Sequence, residues 1–136
     1  MQLAADANVL LSAVIGGRSR LVLSHRQISE VFTTQQTFSE VEEYAPVLAK
    51  KRGLPSDILL LAVAALPVTI VERAKYVKHL ASALRKIGPR DPDDADLLAL
   101  ALHLRIPIWS NDRDFENLDV EAFTTEKLLR RLGLIA

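Results

Sequence analysis

The sequence predicts an α/β protein with a three-layer α/β/α fold around a mostly parallel sheet of about five strands. Short strand-like runs alternate with helical runs along the chain. Most connections between these strands pass through a helix, which favours parallel strands covered on both faces. Apolar residues make up 49% of the chain and aromatic residues 5%, a balance typical of helical or α/β cores.

Length and composition limit the class of protein further. The 136 residues are expected to form a single domain, residues 1–136. Basic and acidic residues balance at 17 each, so any attraction to RNA must come from local basic patches. The absence of cysteine excludes disulfides and thiolate metal sites. The apolar start contains Asp6 and lacks a basic leader, and the run from Ile58 to Val71 is too short for a bilayer. We therefore expect a soluble cytoplasmic protein with no membrane segment.

The first elements alternate in type. "QLAAD" is a short apolar strand that ends at an acid, and "ANVLLSAVI" is a helix closed by Gly16 and Gly17. "SRLVLSH" predicts a second helix, and "QISEVFT" a strand with period-two alternation. A long helix follows from Thr34, with an apolar stripe formed by Phe38, Val41, Ala45 and Leu48.

Prolines and glycines divide the middle of the chain. Pro46 is expected to kink or split the long helix, and Gly53 to end it. Ser56 is expected to cap the helix "DILLLAVAAL", which stops before Pro67. "VTIVE" is a β-branched strand, and "RAKYVKHLASALRKIG" an amphipathic helix with Tyr76, Val77, Leu80 and Leu84 at helical spacing. A helix from the Asp-rich stretch to Leu104, the strands "IPIWS" and "VEAFT", and the helix "TEKLLRRLG" complete the fold.

Two acids follow predicted strands directly. Asp6 ends the first strand and Asp112 follows "IPIWS", so both are expected at the carboxyl edge of the sheet, where ligands collect in this class. Capping of the next helix is the alternative role for Asp6. A buried carboxylate without a partner is costly, which favours a functional role.

The stretch "DPDDAD", residues 91–96, precedes the apolar run "LLALALHL". Helix capping accounts for Asp91 and Asp93. Asp94 shares a helical face with Leu97, Leu98 and Ala101, so it is expected to face the sheet. For Asp96, helical spacing does not indicate whether the side chain faces the sheet or the solvent.

More acids complete the candidate set. Glu40 and Glu42 flank the apolar stripe of the long helix on opposite sides, and periodicity does not choose between them. "SNDRDF" places Asp112 and Asp114 in a turn after a strand. Convergence of such carboxylates requires cations, and hard oxygen ligands suit Mg²⁺ or Mn²⁺. Ions of this kind activate water and stabilise the leaving oxygen in phosphodiester hydrolysis.

Four blocks in order, "AADANVLLSAVIGG", "FTTQQTFSEVEEY", "RDPDDADLLALALHLRIPIWSNDRDF" and "TTEKLLRRLG", resemble the PIN-domain family over nearly the whole chain. The resemblance implies an α/β/α fold and a Mg²⁺- or Mn²⁺-dependent ribonuclease, a class that includes toxins of toxin–antitoxin pairs. The family's four acids fall on Asp6, Glu40, Asp94 and Asp112, with Asp114 as an additional acid. Asn8 and Ser110 match its supporting polar positions.

The implied reaction is RNA hydrolysis without a covalent enzyme intermediate. The resemblance implies that Asp6, Asp94 and Asp112 hold the ions and that Glu40 orients a metal-bound water or completes the shell. Basic residues near the cleft are candidates for phosphate contacts: Arg18, Arg20, Lys50, Lys51, Arg52 and Arg113. The resemblance also implies a homodimer and an antitoxin protein as partners.

Two alternatives belong to other classes. One is a PIN fold without useful activity that serves as a binding or interaction module. The other is phosphatase or receiver chemistry. The phosphatase pattern needs an aspartate at the place of Asn8, and a receiver needs an acidic pair and a late lysine, so the sequence argues against both.

Overall fold

A five-stranded sheet forms the centre of the computed structural model, which describes residues 1–87, 91–92 and 94–136. The strand order is β3-β2-β1-β4-β5. Every pairing between described neighbours is parallel, as the alternation of strands and helices predicts. The strands are β1 Gln2–Ala5, β2 Glu30–Thr34, β3 Thr69–Val71, β4 Ile108–Trp109 and β5 Ala122–Phe123.

Helices cover both faces of this sheet, so the predicted three-layer arrangement is confirmed. They are α1 Ala7–Val14, α2 Ser19–Leu23, α3 Gln35–Arg52, α4 Ser56–Ala64, α5 Arg73–Tyr76, α6 Leu80–Ile87, α7 Asp94–Leu104 and α8 Thr125–Arg131. Alternate side chains of β1 point to opposite faces. Leu3 and Ala5 join an apolar cluster with α1, α2, α3, α4 and α8, whereas Ala4 joins a second cluster with α5, α6 and α7. None of the described helices has the length and hydropathy needed to cross a membrane.

Helix α3 runs through Pro46 as one helix of 18 residues. Of the two predicted effects of Pro46, a kink or a split, the split is therefore wrong. Proline removes one backbone hydrogen bond, but the buried face formed by Val41, Ala45 and Ala49 stays packed on the core on both sides of it. Both ends of the helix are well capped. The Thr34 hydroxyl accepts from the Thr37 amide, and Gly53 adopts the left-handed conformation that ends the helix as predicted.

Two other local predictions are wrong. Ser56 is the first residue of α4 rather than its cap, and Asp57 Oδ1 instead accepts from the Ile58 amide in the first turn. The segment from Arg73 to Ile87 is also not one helix. It divides into α5, a 3₁₀ turn at Val77–His79, and α6. Tyr76 is buried, which leaves Val77 exposed instead of on the predicted apolar face; Leu84 is exposed as well.

Candidate metal centre

Asp6 stands directly after β1 and is the N-cap of α1. Its Oδ1 accepts from the Ala7 amide at 2.8 Å, so the capping role is real. Its Oδ2 accepts from the Ser110 hydroxyl at 2.7 Å. Burial raises the pKa of Asp6, the two hydrogen bonds oppose this, and the charges of Asp112 and Asp91 raise it further. Asp6 therefore both caps a helix and belongs to a group of acids at the sheet edge.

Asp94 is the first residue of α7 and faces this edge, as its helical position predicts. Its Oδ2 is buried and has no hydrogen-bond partner among the described residues. Burial raises the pKa of Asp94 to about 8, and the charges of Asp6, Asp91, Asp112 and Glu40 add to the effect. Carboxylates from the sheet edge and from both helical layers thus lie close enough to repel Asp94.

Asp112 and Asp114 complete the densest part of the cluster. One carboxylate oxygen from each of Asp94, Asp112 and Asp114 lies within 4.8 Å of the other two. Asp112 Oδ1 also accepts from the Asp114 amide at 2.9 Å, at the start of the 3₁₀ turn Arg113–Phe115. Three carboxylate oxygens at this spacing fit a hard divalent cation.

Ser110 connects the two strand ends. It follows β4 and is buried. Its hydroxyl donates to Asp6 Oδ2 and accepts from the Asp112 amide at 3.0 Å. The supporting position assigned to Ser110 is therefore in direct contact with two of the candidate acids.

Glu40 and Asn8 approach the cluster from the helical layer. Glu40 is half-buried on α3, and its charge raises the pKa of Asp94. Asn8 is exposed in the first turn of α1 and lines the same groove as Glu40. Glu42 is exposed, and the leading causes of the raised pKa of Asp94 include the charge of Glu40 but not that of Glu42. Of the two glutamates, Glu40 is thus the one that lines the groove and has the stronger influence on Asp94.

Asp91 is a further candidate for the site. From the sequence it is expected only to cap the following helix. It is half-buried, and its charge raises the pKa of both Asp6 and Asp94. The signal was its position only three residues before Asp94. Asp93 lies outside the described residues.

Asp96 does not join the acids. Its carboxylate accepts two hydrogen bonds from Arg73, both at 3.0 Å, and a third from the Tyr76 hydroxyl. Asp96 is buried, and this ion pair links α5 to the first turn of α7, two residues from Asp94. Asp96 is therefore a structural anchor for that turn.

The basic residues divide by position. Arg113 is exposed in the turn between Asp112 and Asp114. Arg18 lines a cavity of about 280 Å³ with Asn111, the neighbour of Asp112. Arg20 instead lines a cavity with Ala13 and Val14, at the end of α1 opposite to Asp6 and about 12 Å along the helix axis from its start. The structure therefore does not bring Arg20 to the acids.

An α/β/α fold with acids gathered at the carboxyl edge of a parallel sheet defines a class of proteins with a polar, metal-compatible site. The family model for the PIN domain matches residues 5–133, so this chain belongs to the PIN domain family. Proteins of this family are generally nucleases and typically use divalent metals.

Thirteen chains of solved structures match this chain. These matches support the α/β/α fold. One is a toxin–antitoxin complex from Klebsiella pneumoniae, with a TM-score of 0.67 and 18% sequence identity, over 90% of this chain and 97% of the other. At that identity the likeness concerns the fold alone. No curated protein matches the chain.

Proposed function

We propose that this protein is a Mg²⁺- or Mn²⁺-dependent ribonuclease whose catalytic unit is a single domain, residues 1–136. One observation carries the proposal. Asp94 Oδ2 is buried without a hydrogen-bond partner among the described residues, in a carboxyl group that lies beside those of Asp112 and Asp114. A buried carboxylate oxygen without a partner is costly, and a cation would remove that cost.

Electrostatics favours a metal over other ligands at this position. The charges of four other acids raise the pKa of Asp94. A divalent ion would neutralise part of this repulsion and return Asp94 to its ionised form. Oxygen donors without histidine or cysteine suit Mg²⁺ or Mn²⁺ better than softer metals.

The chain's own residues have distinct roles in this proposal. Asp94, Asp112 and Asp114 would hold the ion, and Ser110 would keep Asp6 oriented beside them. Glu40 would orient a water or complete the shell. A bound ion would supply water activation and stabilisation of the leaving oxygen, the usual contributions of such metals to phosphodiester hydrolysis.

RNA is the substrate that membership of the PIN domain family best supports. The exposed Arg113, between Asp112 and Asp114, is in position to contact a phosphate next to the one that is cut. Such a contact would weaken as salt concentration rises. Arg18 is a second candidate for a phosphate contact because it lies near Asn111.

The direct test is cleavage of a mixed panel of RNAs and of single-stranded DNA with Mn²⁺, with Mg²⁺ and with EDTA. Wild-type protein should cut RNA only when a divalent ion is present, and both Asp6→Asn and Asp94→Asn should lose at least about 100-fold of the rate. Glu43→Gln is the matched control, because Glu43 is exposed on α3 and outside the cluster. RNA loss that persists equally in the Asp6 and Asp94 variants would come from a contaminant and overturn the proposal.

Protein partners are a second part of the proposal, favoured by the surface of α4. Leu59 and Val63 of this helix are buried, but Ile58, Leu60 and Leu61 are 58%, 44% and 71% exposed. Apolar side chains clustered in this way mark contact surfaces. We propose a homodimer through α4.

We also propose a toxin role with an antitoxin partner, because the structurally similar chain comes from a toxin–antitoxin complex. Growth arrest on expression that Asp94→Asn relieves would support the toxin role. Unaffected growth by an active enzyme would contradict it. A protein that assembles through α4 but cuts no nucleic acid would instead support the interaction module without activity.

A further inference from the structure

A groove between α1 and α3 begins beside the acids and continues along the outer surface of the helical layer. Its volume is about 210 Å³, and its lining includes Asn8, Leu11, Glu40, Tyr44, Val47 and Lys51. We propose that this groove binds the nucleotides of a single-stranded RNA next to the bond that is cut, with a base on Tyr44 and a phosphate at Lys51. This inference rests on the proposed function and names how that site holds its substrate.

The groove is continuous with the candidate metal centre. Asn8 is two residues after Asp6, and Glu40 is near enough for its charge to act on Asp94. Both residues also line the groove. An RNA strand whose phosphate sits at the acids would therefore have the next nucleotide within reach of the groove.

Three residues of α3 line the groove in a fixed order along the helix. Tyr44 lies four residues after Glu40, and Lys51 seven residues after Tyr44, so all three share one face of α3. Eleven residues of helix extend about 16 Å. Along the groove, the acids at Glu40 are followed by the ring of Tyr44 and then by the charge of Lys51. This order matches a scissile phosphate, a base and a further phosphate.

The chemistry of the lining suits a nucleotide. Tyr44 is 54% exposed, so part of its ring is available for stacking. Leu11 and Val47 supply apolar surface beside it, and Lys51 supplies a positive charge at the far end. Aromatic stacking next to a cation is how proteins bind single strands without strict sequence preference. A purely apolar protein segment would fit poorly, because it would cover Asn8 and Lys51 without offering them polar partners.

Two variants test the groove without disturbing the acids. Tyr44→Leu keeps an apolar side chain but removes the ring, and Lys51→Met removes the charge but keeps the length. Lys78→Met is the matched control, since Lys78 is exposed in the 3₁₀ turn Val77–His79 and does not line the groove. Circular dichroism and melting temperature check that each variant folds, and Tyr44→Trp, which keeps a stacking face, should bind at least as well as wild type.

Two readouts apply to the same short single-stranded RNAs. The first is KM and kcat for cleavage, and the second is fluorescence anisotropy of RNA binding in the Asp94→Asn background. We expect Tyr44→Leu and Lys51→Met to weaken binding and raise KM by roughly 10-fold each, with little change in kcat. Lys51→Met should also reduce the salt dependence of binding, by about one released counterion.

The outcomes separate this inference from the proposed function. Wild-type RNA affinity and KM in both groove variants would overturn the nucleotide subsite and leave the ribonuclease intact. A wild-type protein that cuts no RNA would overturn the ribonuclease, and one that also binds no RNA would overturn the groove. Groove variants that alter oligomeric mass while RNA affinity stays unchanged would make this surface a protein contact, which also overturns the inference.

Discussion

Ser110 donates its hydroxyl hydrogen to Asp6 Oδ2 at 2.7 Å, although 104 positions separate the two residues in the chain. The same hydroxyl accepts from the Asp112 amide. Strands β1 and β4 are neighbours in the sheet, and this one side chain joins the acids that follow them. The orientation of Asp6 relative to Asp112 therefore depends on Ser110.

Removal of the Ser110 hydroxyl should weaken metal binding and lower the stability of the protein. Ser110→Ala removes one donor to Asp6 and one acceptor for Asp112, so we expect Mn²⁺ affinity to fall at least about 10-fold. The free energy of unfolding should fall by about 1–2 kcal/mol. Isothermal titration calorimetry and thermal unfolding measure the two effects. Ser110→Thr keeps the hydroxyl and should retain most of the affinity.

Ser24→Ala is the matched control for that experiment. The Ser24 hydroxyl also donates a hydrogen bond, to the Arg20 carbonyl, but it is exposed and away from the acids. It should leave Mn²⁺ affinity unchanged. Equal affinities for wild type and Ser110→Ala would show that Ser110 does not organise the acids.

Metal-free protein should lose stability as pH rises. The pKa of Asp94 is raised to about 8 in the folded state, against an ordinary value of 3.8. Between these values the folded state binds more protons than the unfolded state, so the free energy of unfolding decreases with pH. From pH 5 to pH 8 we expect a loss on the order of 2 kcal/mol, after a discount for the solvent access of this half-buried group.

Denaturant unfolding in EDTA at several pH values measures this effect. Asp94→Asn removes the titrating group and should flatten the profile, with a melting temperature at pH 8 above that of metal-free wild type. Added Mn²⁺ should stabilise wild type at pH 8 by about 2.7 kcal/mol when the ion is at 100 times its Kd. A wild-type profile that rises from pH 5 to pH 8 would contradict the predicted repulsion among the acids.

The ion pair between Arg73 and Asp96 should matter more for stability than a surface pair. The Asp96 side chain is only 6% exposed, so Arg73→Met leaves a buried carboxylate with Tyr76 as its remaining side-chain donor. We expect the melting temperature to fall by roughly 5 °C or more. Lys86→Met is the control, because it breaks the exposed pair with Asp119 and should cost less than about 2 °C. Equal shifts in the two variants would argue that Asp96 is not an anchor for α7.

Self-association should depend on α4. Leu61 is 71% exposed, and Leu61→Lys places a charge in the middle of the apolar surface. Light scattering after size-exclusion chromatography should show a dimer for wild type and a monomer for this variant. Leu21→Lys on α2 is the control and should remain a dimer. A monomeric wild type at micromolar concentration would contradict the homodimer.

Much of the fold could be predicted because its signals are local. Strand-like runs that end at an acid, separated by helices, indicate a parallel sheet with a polar carboxyl edge. Asp94 could be assigned to the sheet-facing side because the residues three and four positions later are apolar. The choice of Glu40 over Glu42 needed the family resemblance, since both flank the same stripe.

Other features depend on contacts between distant parts of the chain. The side-chain partners of Asp96 are Arg73 and Tyr76, which lie 23 and 20 residues away. Both belong to α5, and no glycine or proline in the sequence marks the end of this helix at Tyr76. Pro46 has a strong local signal, but the buried face of α3 outweighs it. Asp91 resembled an ordinary cap residue, and its effect on Asp6 depends on how β1 and α7 meet.

Direct Mn²⁺ titration, followed by calorimetry or by electron paramagnetic resonance, tests most closely whether these acids form a metal site. Wild type should bind Mn²⁺ at a saturable site. Asp94→Asn and Asp112→Asn should each weaken binding at least about 10-fold, while Glu43→Gln binds like wild type. Wild-type protein that takes up no Mn²⁺ at millimolar concentration, or aspartate variants that bind as tightly as wild type, would contradict the account.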